Sequence, residues 1–306
     1  MKKQYIVIPA VLCLLLLLPA CGRAEEDAPP GPAASLAEDE TPSVLICRIV
    51  DGAEDGDLLL AALDASLPEG RAGLADGRSV YRLSLTGETP VTLDGEPAAA
   101  GDLQDGMPVE ISFNGTVPET FPAQLGEVYA VSGFSLGTPQ NPGGSLYDLC
   151  GLYLQALDDL WNKDPALNEG ISLAGLDLSQ APGGLLESER SALAWRFGEV
   201  HGVETVTGTF EELADQGYFE ASAVSTPAPE NGEDFSRFWY QWPDGCLFSI
   251  TPNSNHEGET HSLPTLFFDV EKWKSPLAAY VLYDCSAVWP ELGTWSGYQV
   301  DSEMIS

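Results

Sequence analysis

The pattern of apolar and polar positions divides the chain into a first half of short strands and a second half that mixes helices and strands. Between residues 43 and 134, apolar runs of five to eight residues are separated by turn residues, many of them Gly next to Asp, Glu or Asn. Short strands at this spacing are typical of a small β-barrel or sandwich. The pattern predicts an all-β, OB-like barrel domain over residues 43–136. The strand-like runs are 43–50, 57–63, 79–85, 90–94, 107–113 and 127–134.

The second half begins after a turn-rich break and carries apolar residues at helical spacing. Helices are predicted over residues 145–161 and 187–200, and Thr209 with Glu212 forms a capping box that starts a third. The strand-like runs that follow are 238–242, 246–252, 263–270 and 276–283, with a predicted hairpin turn at 243–245. Helices followed by such strands predict an α+β domain over residues 145–306, with the helices packed on a mostly antiparallel sheet.

The first twenty residues have the pattern of a lipoprotein signal peptide. Two lysines precede an apolar run at residues 5–18, and Leu18-Pro19-Ala20-Cys21 resembles the lipobox at which such a signal is cleaved. The apolar run is shorter than the roughly 20 residues that a transmembrane helix needs. We therefore predict a signal peptide over residues 1–20 and lipidation of Cys21, whose two acyl chains give stable anchoring.

Residues 21–42 are acidic, rich in Pro and Ala, and nearly free of large aliphatic side chains. A segment of this composition cannot bury enough apolar surface to fold, so it is predicted to be a disordered tether. Together with the lipid on Cys21, the tether predicts a protein anchored to the cell membrane on its extracytoplasmic face. The partners expected there are the membrane itself and an extracellular ligand or envelope component.

The charge of the chain excludes one class of partner. Lys and Arg number 13 against 47 Asp and Glu, a formal net charge of −34. Binding to nucleic acid requires clustered basic residues, so no nucleic-acid partner is predicted. The acidity serves solubility, or alternatively cation binding at the cell surface.

Four cysteines remain besides Cys21 and Cys13 of the signal peptide. Four cysteines allow three pairings, and a Cys246–Cys285 disulfide is the candidate chosen, with buried free thiols as the alternative. No C-x-x-C pair is present, which disfavours a zinc site built from cysteine.

Two sequences resemble catalytic motifs without meeting their requirements. Ser135 lies in a G-x-S-x-G sequence, but the turn residues that follow cannot form the helix that a nucleophile elbow enters. His256 and His261 are five residues apart, not the four that place two zinc ligands on one helical face. A loop could still hold a metal with these histidines and an intervening glutamate, but a solvated acidic loop is the simpler interpretation. No catalytic residue, metal site or cofactor is predicted.

Aromatic residues are concentrated after residue 237. Side chains alternate between the two faces of a strand, so one aromatic face is expected in the core. The other face could be an exposed platform on which a ligand stacks. Trp239, Trp242 and Trp273 are the candidate stacking residues, with packing in the core as the alternative.

Residues 109–116 and 119–124 resemble the end of a small β-barrel domain in uncharacterised secreted lipoproteins of Gram-positive bacteria, a family with a domain of unknown function. In that family a Gly-Asp pair precedes a strand of the Val-Glu-Ile type, a turn of an aromatic residue, Asn or Asp, and Gly, and a segment of Glu, Ser or Thr, an aromatic residue and Pro-Ala-Gln. Here Gly101-Asp102 stands before the strand and Asp105-Gly106 has the reversed order. The resemblance implies an OB-like barrel and extracellular residence, and it implies no catalytic residues.

Residues 268–275 and 284–287 are similar to C-terminal regions of comparable lipoproteins, which also have no assigned function. We therefore expect a lipid-anchored binding module with no assigned activity. The alternatives are a carboxylate-based hydrolase with an unrecognised site and a cation-binding surface protein.

Overall fold

The computed structural model describes residues 42–63, 79–142, 147–221, 237–256, 259–290 and 294–306 of the chain. The predicted signal peptide, Cys21 and the acidic tether to residue 41 lie outside these residues, so their structure stays a prediction. The described part is mostly β-structure, with two large sheets and few helices.

The first sheet has eight strands in the order β5-β4-β8-β6-β1-β2-β3-β7. Neighbouring strands are antiparallel except for the parallel pairs β4–β8 and β3–β7. The strands are β1 (Ser43–Asp51), β2 (Asp57–Ala62), β3 (Val80–Ser84), β4 (Val91–Leu93), β5 (Glu96–Ala98), β6 (Pro108–Phe113), β7 (Ala123–Gln124) and β8 (Val128–Gly133).

The prediction of an OB-like barrel followed by an α+β domain is wrong, because this sheet is open. A barrel requires the first and last strands of the sheet to pair. Here those strands are β5 and β7, which are three and two residues long and do not pair with each other. The sheet buries its apolar face against helices, so it does not need to close on itself.

The second sheet has six strands in the order β10-β9-β13-β14-β15-β16. β9 is parallel to both β10 and β13, and the remaining pairs are antiparallel. The strands are β9 (Leu173–Asp177), β10 (Glu204–Thr207), β13 (Gly245–Pro252), β14 (Thr265–Ser275), β15 (Ala278–Val288) and β16 (Ser296–Ile305), and a separate pair is formed by β11 (Glu220–Ala221) and β12 (Tyr240–Gln241).

Two helices lie between the sheets. α1 (Leu149–Asn162) contacts β1 of the first sheet and β14 and β15 of the second. α2 (Glu187–His201) contacts β2 and β3 of the first sheet and β10 of the second. One hydrophobic core therefore includes residues from both predicted domains, such as Leu60, Tyr153, Phe197 and Phe268.

The outer face of the second sheet is covered by the short helix α3 (Phe210–Asp215), which starts at the predicted capping box. Thr209 Oγ1 accepts from the Glu212 amide at 3.2 Å, and the Glu212 carboxylate accepts from the Thr209 amide at 2.9 Å. The indole of Trp242 packs here because Gly245 and Gly175 have no side chain, and a Cβ at either would come within 3 Å of the indole ring. β13 is consequently buried on both faces from Gly245 to Ile250.

Candidate functional site

A cleft opens along the two sandwiched helices, with a volume of about 380 Å³. We call it the α1–α2 cleft. Apolar surface predominates in its lining, beside five polar side chains, a mixture typical of small-molecule sites. It is lined by Asp51, Gly151, Leu154, Gln155, Asp158, Arg196, Phe197, Val200, His201 and Trp295.

Helical spacing brings these side chains together. On α1, Leu154, Gln155 and Asp158 occupy positions i, i+1 and i+4, which share one side of a helix. Arg196, Phe197, Val200 and His201 repeat the same spacing on α2. The facing sides of two adjacent helices therefore form the two long walls of the cleft.

His201 belongs to the floor of the cleft. Its ring stacks on Trp161 with centroids 4.3 Å apart and meets Phe197 edge-on at 4.4 Å. The side chain is only 7% exposed, and Nε2 lies 3.6 Å from the Asp158 carboxylate. Burial lowers the pKa of His201 below its ordinary value, and the weaker effect of Asp158 opposes that shift. The imidazole is therefore neutral near pH 7 and contributes an aromatic, hydrogen-bonding surface.

An ion pair separates the cleft from a second, acidic pocket. Arg196 Nε lies 2.6 Å from Asp51 Oδ2, and both residues line both spaces. The acidic pocket has a volume of about 230 Å³. Its further lining consists of Gly52, Glu54, Asp55, Asp57, Leu59, Arg82, Asp105 and Trp195. Arg82 binds Asp57 at 2.5 Å and lies over the Trp195 ring, so part of this negative charge is already neutralised.

Trp295 forms the end of the cleft and is held by Asp148. The indole N–H donates to Asp148 Oδ2 at 3.1 Å, while Asp148 Oδ1 accepts from the Gly151 amide at 3.0 Å as the N-cap of α1. Burial raises the pKa of Asp148 to about 7, the Gly151 hydrogen bond opposes this, and the Asp105 carboxylate adds to it. A carboxyl group that titrates near neutrality thus positions the only tryptophan that lines the cleft.

The described lining of the cleft supplies groups that can bind a small molecule. Among the described residues that line the cleft none is a serine, threonine or cysteine, so its nucleophilic groups are the carboxylates of Asp51 and Asp158 and the imidazole of His201. The cleft offers an indole, a phenyl ring and an imidazole beside a guanidinium, two carboxylates and an amide. These groups can stack on a ring and hydrogen-bond its polar substituents.

The three candidate stacking residues lie elsewhere. Trp242 and Trp273 are 1% and 3% exposed in the core beside α3, so neither indole is available to a ligand. Trp239 is 48% exposed, in a 3-10 turn at Arg237–Trp239. The tryptophan that lines the α1–α2 cleft, Trp295, stands apart from the aromatic runs in the sequence, so the sequence pattern did not single it out.

Cys246 and Cys285 are buried thiols on β13 and β15, with β14 between them. Two strand spacings amount to about 10 Å, which exceeds the Cα separation of about 7 Å that a disulfide can span. Burial raises the pKa of each thiol to about 12, so neither is a reactive thiolate. The Cys246–Cys285 bridge is therefore not formed in this structure.

Ser135 follows the end of β8, and its amide donates to Asp94 Oδ1 at 2.8 Å. The chain then makes a turn closed by the Thr138–Asn141 bridge. It does not enter a helix, which is the context that a nucleophile elbow requires.

Comparison of the chain with protein-family models, curated proteins and solved structures gives no significant match. In the part of the chain that the structure describes, no helix has the length and apolar character needed to cross a membrane.

Proposed function

We propose that the protein is a lipid-anchored extracytoplasmic binding protein whose α1–α2 cleft takes up a small organic ligand with a flat, apolar ring face. The observation that carries this proposal is the half-buried indole of Trp295 in a cleft lined by both apolar and hydrogen-bonding side chains. The anchor rests on the lipobox at Cys21 and the acidic tether, and mass spectrometry of the mature N-terminus tests it. An unmodified Cys21 would refute the anchor and leave the cleft proposal standing.

The charge of the ligand follows from electrostatics. The chain has a formal net charge of −34, and among the described residues Asp51 and Asp158 line the cleft beside a single guanidinium, that of Arg196. A field of this sign attracts cations and repels anions from a cleft. We therefore infer a neutral or cationic ligand, such as an amine that carries an aromatic or sugar ring.

Two probes of equal ring size and opposite charge test this inference. Tyramine carries an ammonium group, and 4-hydroxyphenylacetate carries a carboxylate on the same ring. We expect tyramine to bind at least tenfold more tightly in isothermal titration calorimetry, a difference of about 1.4 kcal/mol. The preference should shrink at high salt because ions screen exposed charges.

The variant Trp295→Ala should abolish tyramine binding, because it removes the ring on which the probe stacks. The matched control is Trp239→Ala, which removes an exposed indole outside the cleft and should leave the affinity unchanged. Equal binding of both probes would contradict the proposed charge of the ligand. Undiminished binding by Trp295→Ala would contradict the proposed site.

A further inference from the structure

Two histidines and a glutamate meet on a polar loop that follows β13. His256 ends a 3-10 turn at Ser254–His256, and its Nδ1 lies 3.0 Å from Glu259 Oε2. The same carboxylate oxygen lies 3.3 Å from His261 Nε2. Glu259 therefore joins the two imidazoles whose spacing does not fit a helical zinc motif.

The second nitrogen of His256 is fixed by the sheet beneath the loop. Nε2 lies 2.7 Å from Asp284 Oδ1. Asp284 stands in a β-bulge between β14 and β15 with a left-handed φ of 55°, a conformation that aims its side chain out of the ladder. Its amide donates to Asp269 Oδ1 at 2.8 Å, and the Asn253 amide group donates to the same oxygen at 2.9 Å.

Both histidines also contact one phenyl ring, that of Phe267. His256 stacks on Phe267 with centroids 3.8 Å apart and an interplanar angle of 15°. His261 meets the same ring at 5.1 Å. Both imidazoles therefore lie against the same side chain of β14, one from each end of the loop.

The residue types match the chemistry of zinc. Zn²⁺ binds imidazole nitrogen and carboxylate oxygen at about 2.0–2.2 Å in tetrahedral sites. Tetrahedral bonds of that length put neighbouring donor atoms roughly 3.4 Å apart, and the ion-pair contacts of 3.0 and 3.3 Å place Glu259 within reach of an ion bound by either imidazole. A carboxylate on the far nitrogen of a ligating histidine is the usual outer partner in zinc sites, and Asp284 occupies that position on His256.

We propose that His256 Nδ1, Glu259 and His261 Nε2 form a Zn²⁺ site, with Asp284 orienting His256. Among the described residues, no three His, Cys, Asp or Glu side chains already surround a metal position. Glu259 contacts each of the two imidazoles. The three side chains can surround one metal ion only if His261 turns inward. Its side chain is 36% exposed and has room to do so. Two imidazoles favour Zn²⁺ over Ca²⁺, which prefers six or more oxygen ligands.

Zinc chloride titrated into the lipid-free protein, residues 22–306, tests the site by isothermal calorimetry and thermal shift. We expect one Zn²⁺ per chain and a rise in melting temperature that Ca²⁺ does not reproduce. His261→Ala should weaken zinc binding at least tenfold, and Asp284→Asn should weaken it 10- to 100-fold. Cobalt(II) in place of zinc should give the visible spectrum of a tetrahedral site in the wild type and lose it in His261→Ala.

Glu204→Gln is the matched control, because it removes one exposed carboxylate on β10, at the far edge of the same sheet. It should bind zinc as the wild type does. His261 is an exposed side chain, so the zinc-free His261→Ala protein should keep the wild-type melting temperature. Absence of zinc binding, or equal binding by the wild type and His261→Ala, would overturn the proposal and assign any bound ion to the general acidic surface.

Discussion

Lys272 and Asp148 are two ionisable residues whose environments are set by the ends of α1. Lys272 is fully buried on β14, and its ammonium donates to the main-chain oxygens of Trp161, in the last turn of α1, and of Lys163 and Asp164, just beyond it. A cation at this end complements both the unpaired carbonyls and the helix dipole. Asp148 caps the opposite end. In sequence Lys272 belongs to an ordinary strand, and nothing local indicates its role.

Asp148 should make the protein less stable as the pH rises. Burial raises the pKa of Asp148 to about 7 from 3.8. The folded state therefore binds a proton between these values that the unfolded state has already released, and stability falls over this range. Between pH 5 and pH 8 we expect a loss on the order of 3 kcal/mol from this group.

Urea unfolding of the wild type and of Asp148→Asn at pH 5 and pH 8 measures this contribution. The variant cannot ionise at position 148, so its stability should change with pH by about 3 kcal/mol less than that of the wild type. Asp301→Asn, which alters an exposed aspartate on β16, should keep the wild-type pH dependence. If Asp148→Asn also keeps it, then Asp148 is ionised throughout this range.

At the scale of elements, local sequence signals located helices better than strand partners. The helix predicted over 187–200 is observed at Glu187–His201, and α3 starts at its predicted capping box. The turn predicted at 243–245 is present at 243–244, but the hairpin is not, because β12 pairs with β11 and β13 pairs with β9 and β14. A helix satisfies its hydrogen bonds within one segment, whereas a strand depends on a partner that its own sequence does not specify.

The turn before β6 should be unusually intolerant of substitution. Gly106 has a φ of +81°, and a Cβ there would lie 2.4 Å from the backbone nitrogen of Asp148. Gly106→Ala should therefore lower the free energy of unfolding by more than the roughly 1 kcal/mol of a left-handed alanine. Thermal or urea denaturation measures the loss.

Gly95→Ala separates the cost of the left-handed backbone conformation from the cost of the steric clash with Asp148. Gly95 has a similar φ of +86°, but a Cβ at this position would have no atom within 4 Å. The substitution should cost only the conformational strain, about 1 kcal/mol. Equal losses for Gly95→Ala and Gly106→Ala would show that the approach of Asp148 to the turn does not limit position 106.

At the scale of the whole molecule, α1 and α2 cover the inner faces of both sheets. Neither sheet can keep its apolar face away from water without these helices. We therefore expect residues 42–306 to unfold in one calorimetric transition, with equal calorimetric and van't Hoff enthalpies. A single transition would show that residues 43–136 and 145–306 unfold together and not as two separate domains.

Residues 42–142 alone should not give a cooperative transition, because this segment lacks both helices. Its exposed apolar sheet should bind a hydrophobic dye, as partly folded states do. Two separate transitions in the longer protein, or a cooperatively folded 42–142 segment, would establish two independent domains.

The sequence by itself determined the net charge of −34, the course of α2 and the cap of α3. It also predicts the export signal and tether at residues 1–42. These depend on composition or on residues a few positions apart. Tertiary structure decided that the first sheet stays open and that Trp295 meets Asp148 across 147 positions of the chain. It also decided that His256 lies against Asp284. Such contacts form between distant segments that bury apolar surface together, and no local pattern records which segments those are.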